Sequence, residues 1–171
     1  VLSLTLQSPV SPYGFGGTRR DGSRLSDEDA GTGAGVANDD FVQRLIDHDT
    51  TAEAPTSPRS VFRSAYVAPG YTSEHEDVWV ESMLSTSTAG GNYPGDAVAT
   101  STWPGFAPGT TGVLNTLSPK YFDVSAIVGL PTKPPILWIY GTADAIVSDT
   151  SFSDLNHLGS LGVVPGWPGA D

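Results

Sequence analysis

Pro134-Pro135 and Gly141 bracket five consecutive apolar residues, Ile136-Leu-Trp-Ile-Tyr140. An uninterrupted apolar run of that length, rich in β-branched and aromatic side chains and stopped at both ends, predicts a strand buried on both faces of a parallel sheet. A parallel strand needs neighbours reached by long crossovers, with helices over both faces. The second strand candidate lies more than a hundred residues upstream, where Val1-Leu-Ser-Leu-Thr-Leu6 alternates apolar and polar residues and stops at Ser8-Pro9. Two strands cannot make a stable parallel sheet alone, so this pair predicts an assembly whose other strands come from elsewhere.

Between the two strands the chain changes character. Ser8 to Gly17 holds two prolines and three glycines and reads as a loop. The acidic stretch at Asp27-Glu28-Asp29 reads as an exposed loop. Asp39-Asp40 places acidic residues before Phe41, Leu45 and Ile46, which share one face of a short helix. Thr56-Ser-Pro-Arg-Ser60 starts a second helix carrying Val61, Phe62 and Ala65, and Glu74 to Leu84 predicts a third with Val78, Trp79 and Met83 on one side. Gly90 to Gly112 reads as a Gly/Pro loop. Phe152 to Leu161 predicts a short helix with Ser153 or Asp154 near its start, and the residues from Val163 to Asp171 a loop. Domain organisation follows: residues 1–18 a core strand and loop, 19–130 a helical, loop-rich insertion, and 131–171 a second core strand with its loop and helix.

Composition removes several functions. Eight basic residues stand against 19 acidic ones, a net charge of −11 with only two lysines, so the clustered cations that hold nucleic acid are missing. The apolar runs fall well short of the ~20 residues of a membrane-spanning helix. Without cysteine there is no thiolate chemistry, disulfide or Cys-based zinc site. Asp27-Glu-Asp29 and Glu74-His-Glu-Asp77 lack the ligand spacing of a calcium loop or zinc helix and read as solvated faces. No metal and no cofactor is expected. The chain opens on valine without a secretory pattern and reads as though cut from something longer.

Asp144 stands four residues past the apolar strand, after Gly141-Thr-Ala. That position is the C-terminal edge of a parallel sheet, where open α/β folds place their sites. The same residue has a plainer reading, as an aspartate capping its own turn.

The run Pro-Pro-Ile-Leu-Trp-Ile-Tyr-Gly-Thr-Ala-Asp-Ala-Ile-Val-Ser-Asp resembles the strand and acid loop of α/β-hydrolase-fold enzymes. Leu4 to Ser8, running into Pro-Val-Ser-Pro-Tyr-Gly-Phe, resembles the central strand after which such enzymes insert a helical cap. The blocks Asn92-Tyr-Pro-Gly-Asp, Trp103-Pro-Gly-Phe-Ala-Pro-Gly, Leu117-Ser-Pro-Lys-Tyr-Phe and Val164-Pro-Gly-Trp-Pro-Gly resemble cap and loop sequences of bacterial members. The resemblance implies part of an α/β-hydrolase fold, with parallel strands flanking a cap insertion, incomplete without further strands. It also implies a serine hydrolase acting on an ester or amide, in which Asp144 orients the catalytic histidine; Asp149 is the competing carboxylate. The nucleophile elbow G-x-S-x-G is absent from the chain, and His48, His75 and His157 are all misplaced for a triad. A second polypeptide or segment is therefore expected to carry the serine and histidine, and this chain alone is expected to be inactive. The expected substrate is a small molecule or peptide. Tyr13 and Phe15 after the first strand, with Trp103 and Phe106 from the cap, are the candidate substrate-binding aromatics, beside Trp79, Tyr93, Tyr121 and Phe122, which serve equally well as cap core. The alternative is a non-catalytic binding or scaffolding module of hydrolase-like shape.

Overall fold

A computed structural model describes residues 2–167; Val1 and residues 168–171, the last four of the segment expected to form a C-terminal loop, lie outside the described residues. The fold is mixed α/β, with one parallel and one antiparallel two-stranded sheet. Strand β1 (Leu4–Gln7) pairs in parallel with β4 (Ile136–Ile139), Leu4 opposite Ile136 and Gln7 opposite Ile139. Leu4 N–H donates to Pro135 O at 3.0 Å and Ser8 N–H to Ile139 O at 2.8 Å, which closes both ends of the ladder.

The parallel pairing follows the sequence, but the burial does not. Every residue of β4 faces solvent, with Trp138 65% and Leu137 56% exposed, and Tyr140 beyond it is 62% exposed. Among the described residues, then, neither face of β4 is covered, while Leu4 and Leu6 of β1 are half-buried. At ~25 cal/mol per Å² of apolar surface, leaving several such side chains wet forgoes several kcal/mol that a covering layer would supply.

The intervening residues make their own small core. Helix α1 (Asp39–Ile46) starts at Asn38, whose Oδ1 accepts from the Asp40 and Phe41 N–H groups, so the cap lies one residue ahead of the acidic pair. Helix α2 (Pro58–Val61) begins on proline and continues as a wider π turn over Phe62–Tyr66. Helix α3 (Glu76–Leu84) turns a different face inward from the one its pattern predicted: Val78 is 64% exposed, whereas Val80 (1%) and Leu84 (2%) are buried against Leu45, with Phe41 and Tyr93 packed on them. Two stripes at helical spacing compete here, 79/83 and 80/84, and the contact with α1 selects the second. Trp79 instead lies against Phe62, ring centroids 5.4 Å apart.

The Gly90–Gly112 region is not only loop. It contains an antiparallel hairpin, β2 (Ala97–Ala99) with β3 (Phe106–Pro108), whose three-residue strands are too short and too rich in alanine and proline to announce themselves. Nor is the Asp27-Glu-Asp29 cluster all solvated: Asp29 is buried and its Oδ2 accepts from Arg24 at 3.1 Å. Polar groups hold much of this region. Asn115 bridges Ala34 N–H to Asp96 O and Thr111 O, and the Thr32 and Ser118 hydroxyls bond at 2.8 Å.

Glu76 ties α3 to α2 through Arg63 and Arg59, each at 2.7 Å from Oε1. Their guanidinium groups, Arg63 foremost, hold its carboxyl down to about 2. A carboxyl with a depressed folded pKa stabilises fully above its ordinary value and loses that contribution as the pH falls to the folded value. Helical signal attributable to α2 and α3 is thus expected to weaken between about pH 4.5 and 2, and Glu76→Gln to flatten that acid limb in a circular-dichroism titration. An unchanged limb in the variant would contradict the assignment.

Candidate functional site

The C-terminal ends of β1 and β4 lie side by side, so whatever follows each strand meets at one rim. Ser8 follows β1 with φ of 40°, in the left-handed region that a residue other than glycine rarely adopts, and its hydroxyl is near enough to Asp144 to help lower the pKa of that carboxyl. Gly141 and Asp144 follow β4, with Asp144 N–H donating to Gly141 O at 3.2 Å to close the turn. The sheet register, not sequence proximity, thus brings Ser8 and Asp144 together.

Asp144 is half-buried. Its Oδ1 accepts from Val147 N–H at 2.8 Å and Ile146 N–H at 2.9 Å. These backbone donors, Val147 first, hold the carboxyl below the usual range against the opposing effect of burial, and the Ser8 hydroxyl adds to them. The group is an ionised carboxylate at neutral pH, fixed in orientation by two backbone donors. Such a group can accept an N–H from an imidazole and stabilise its protonated form. Asp149, the competing carboxylate, is exposed further along the loop.

Among the described residues no histidine side chain bonds to Asp144. His48 follows the Asp47 cap of α1 with φ of 53°, its N–H donating to Leu45 O. His75 stands before α3, exposed, with its ring edge toward Trp79. His157 lies in α4 (Leu155–Ser160), where its backbone N–H is capped by Asp154 Oδ1 at 2.8 Å. All three have local structural positions.

Immediately beside the acid loop lies a largely apolar cavity of about 130 Å³. Val10 and Phe15 line it from the loop after β1, Ile146 and Val147 from the acid loop, and Val36, Leu114 and Leu117 from the insertion. Its walls are rigidly hung: Phe15 N–H bonds Leu117 O at 2.8 Å, and Leu155 N–H at the head of α4 bonds Gly16 O at 3.2 Å. Gly16 has φ of 83°, and a Cβ there would press on Ser153 O, so the turn needs glycine. Two backbone N–H groups that fix Asp144 thus belong to residues whose side chains wall the cavity.

The predicted aromatics divide. Phe15 lines this cavity. Tyr13, two residues earlier, turns to a separate groove with Lys120 and Arg24. Phe106 begins β3 with its ring over Gly35, inside the packing of the insertion, and Trp103 sits half-buried in the β2–β3 connection; neither lines the cavity. Ser8, Ile146 and Val147 had no signal as site residues beyond the Ser-Pro strand stop and the apolar pair after Asp144.

Among the described residues no group of three or more histidine and acidic side chains is arranged to hold a metal ion, and no helix is long and apolar enough to cross a membrane. No family model matches the chain, and no curated protein or solved structure matches it either.

Proposed function

We propose that this chain is part of a serine hydrolase of α/β-hydrolase type, supplying the triad acid Asp144 and the cap, while the nucleophilic serine and catalytic histidine lie on another segment or chain. The observation that carries the reading is the parallel β1–β4 ribbon. It spans an insertion of more than a hundred residues, ends at an ionised and oriented carboxylate, and exposes apolar side chains on both faces. Flanking strands would cover the ribbon's free edges and helices its faces, and the same layers would bring an imidazole to Asp144. In that assembly the histidine takes the proton of the serine hydroxyl, Asp144 holds the imidazole in the required tautomer, and the ester or amide is cut through an acyl intermediate. The apolar cavity walled by Phe15, Ile146 and Val147 suits the non-reacting part of a small substrate.

A second reading, a binding module that keeps the shape without the chemistry, draws on one feature: Asp144 already satisfies two N–H groups of its own turn, as a purely structural aspartate would. Labelling the protein from its native source with a fluorophosphonate probe, followed by peptide mapping, separates the two. The hydrolase reading expects a labelled serine in a G-x-S-x-G peptide that purifies with this chain. Absence of any labelled serine, with this chain as the sole polypeptide, would favour the binding module.

A further inference from the structure

The cavity beside the acid loop has a size and a lining that restrict what can fill it. At about 130 Å³ it has room for several water molecules. A buried water, however, needs two to four polar partners, and the wall offers few. Thr32 is buried, and its Oγ1 is already bonded to Asp29 O and Ser118 Oγ, both at 2.8 Å. Ser153 is the other hydroxyl residue at the wall; the larger side chains there are valine, leucine, isoleucine and phenylalanine. Water inside would give up hydrogen bonds, whereas an apolar occupant has none to lose.

Nor can the walls simply close on the hollow, because each is pinned from behind. The Thr32–Ser118 bond, with Ala34 N–H on Asn115 Oδ1 at 2.8 Å, holds the turn before Val36 against the segment that carries Leu114 and Leu117. Phe15 hangs on Leu117 O through its N–H, and Asp144 holds Ile146 and Val147. The cavity is thus preformed, and a ligand need not open it.

We propose that this cavity binds a neutral apolar group the size of one six-membered ring, and that the substrate of the proposed hydrolase carries such a group on its non-reacting side. The size follows from the volume, since a cavity of about 150 Å³ lined by leucine, isoleucine and phenylalanine takes one benzene molecule. The substrate assignment rests on the hydrolase reading of Asp144; the cavity's choice of ligand does not.

Titration of the 171-residue chain with benzene and pyrazine, followed through amide shifts in two-dimensional NMR, tests the cavity. The two rings share a shape, but pyrazine carries two ring nitrogens, of which Ser153 could satisfy only one. Benzene is expected to bind saturably with Kd on the order of 1 mM, shifting the amides of Phe15, Ile146 and Val147, and pyrazine at least about tenfold more weakly. Val36→Phe and Val10→Phe each add a ring to a different wall and are expected to weaken benzene about tenfold with the circular-dichroism spectrum unchanged. Should either variant fail to fold, the benzene–pyrazine comparison still decides. Benzene that does not saturate, binds no more tightly than pyrazine, or binds both folded variants as it binds the wild type would overturn the proposal. In protein from the native source, benzene is expected to inhibit hydrolysis of phenyl acetate or methyl phenylacetate competitively, with Ki matching its Kd. Ester hydrolysis untouched by benzene would overturn the substrate assignment and leave the hydrolase standing. Benzene bound by a protein that hydrolyses neither ester would instead remove the hydrolase, and the substrate assignment with it, and leave the cavity's ligand in place.

Discussion

Asp144→Asn in the proposed hydrolase assembly is expected to lower kcat by about 10⁴ while leaving thermal unfolding nearly unchanged. The amide oxygen of asparagine can still accept from Ile146 and Val147 N–H, so the turn that fixes the loop survives. What is lost is the negative charge, and with it the preference for the productive histidine tautomer and the stabilisation of the imidazolium. Asp144→Ala provides the contrast, since it removes the turn acceptor as well and should lower stability together with activity. Turnover at wild-type level in Asp144→Asn, with Asp149→Asn inactive, would move the role to Asp149.

The second large effect concerns the insertion. Leu84→Ala is expected to destabilise the α1–α3 unit by about 3 kcal/mol, the usual cost of a cavity at a fully buried leucine. That core rests on three buried side chains, Leu45, Val80 and Leu84, so little surrounding structure is available to collapse into the gap. Val78→Ala, on the same helix, is expected to change stability by less than about 0.5 kcal/mol because Val78 faces solvent. Guanidinium denaturation followed by far-ultraviolet circular dichroism measures both. Equal losses in the two variants would mean that α3 packs through the 79/83 stripe after all.

These two residues also mark what a sequence can convey. The apolar run at Ile136 identified β4 because its signal is local and continuous, and the alternation at Leu4 identified its partner. The parallel pairing followed from the length of chain between them. By contrast, the inward face of α3 depended on which of two overlapping stripes met Leu45, a tertiary choice that periodicity leaves open. The β2–β3 hairpin was hidden because its strands are three residues long and are held by side chains such as Asp96 and Asn115, whose partners are distant in sequence. At the rim, Asp144 was legible from its distance past the strand, yet Ser8 became its neighbour only through register. Asp29 sat in an acidic run that reads as solvent-facing, and only the fold turned it inward onto Arg24.

Amide hydrogen exchange at Leu137, Trp138 and Ile139 tests most directly whether additional layers enclose the β4 strand. In protein from the native source those amides should exchange orders of magnitude more slowly than in the isolated 171-residue chain, where the two-stranded ribbon opens freely. Equally rapid exchange in both samples would mean that nothing covers the ribbon and would contradict the proposed larger sheet.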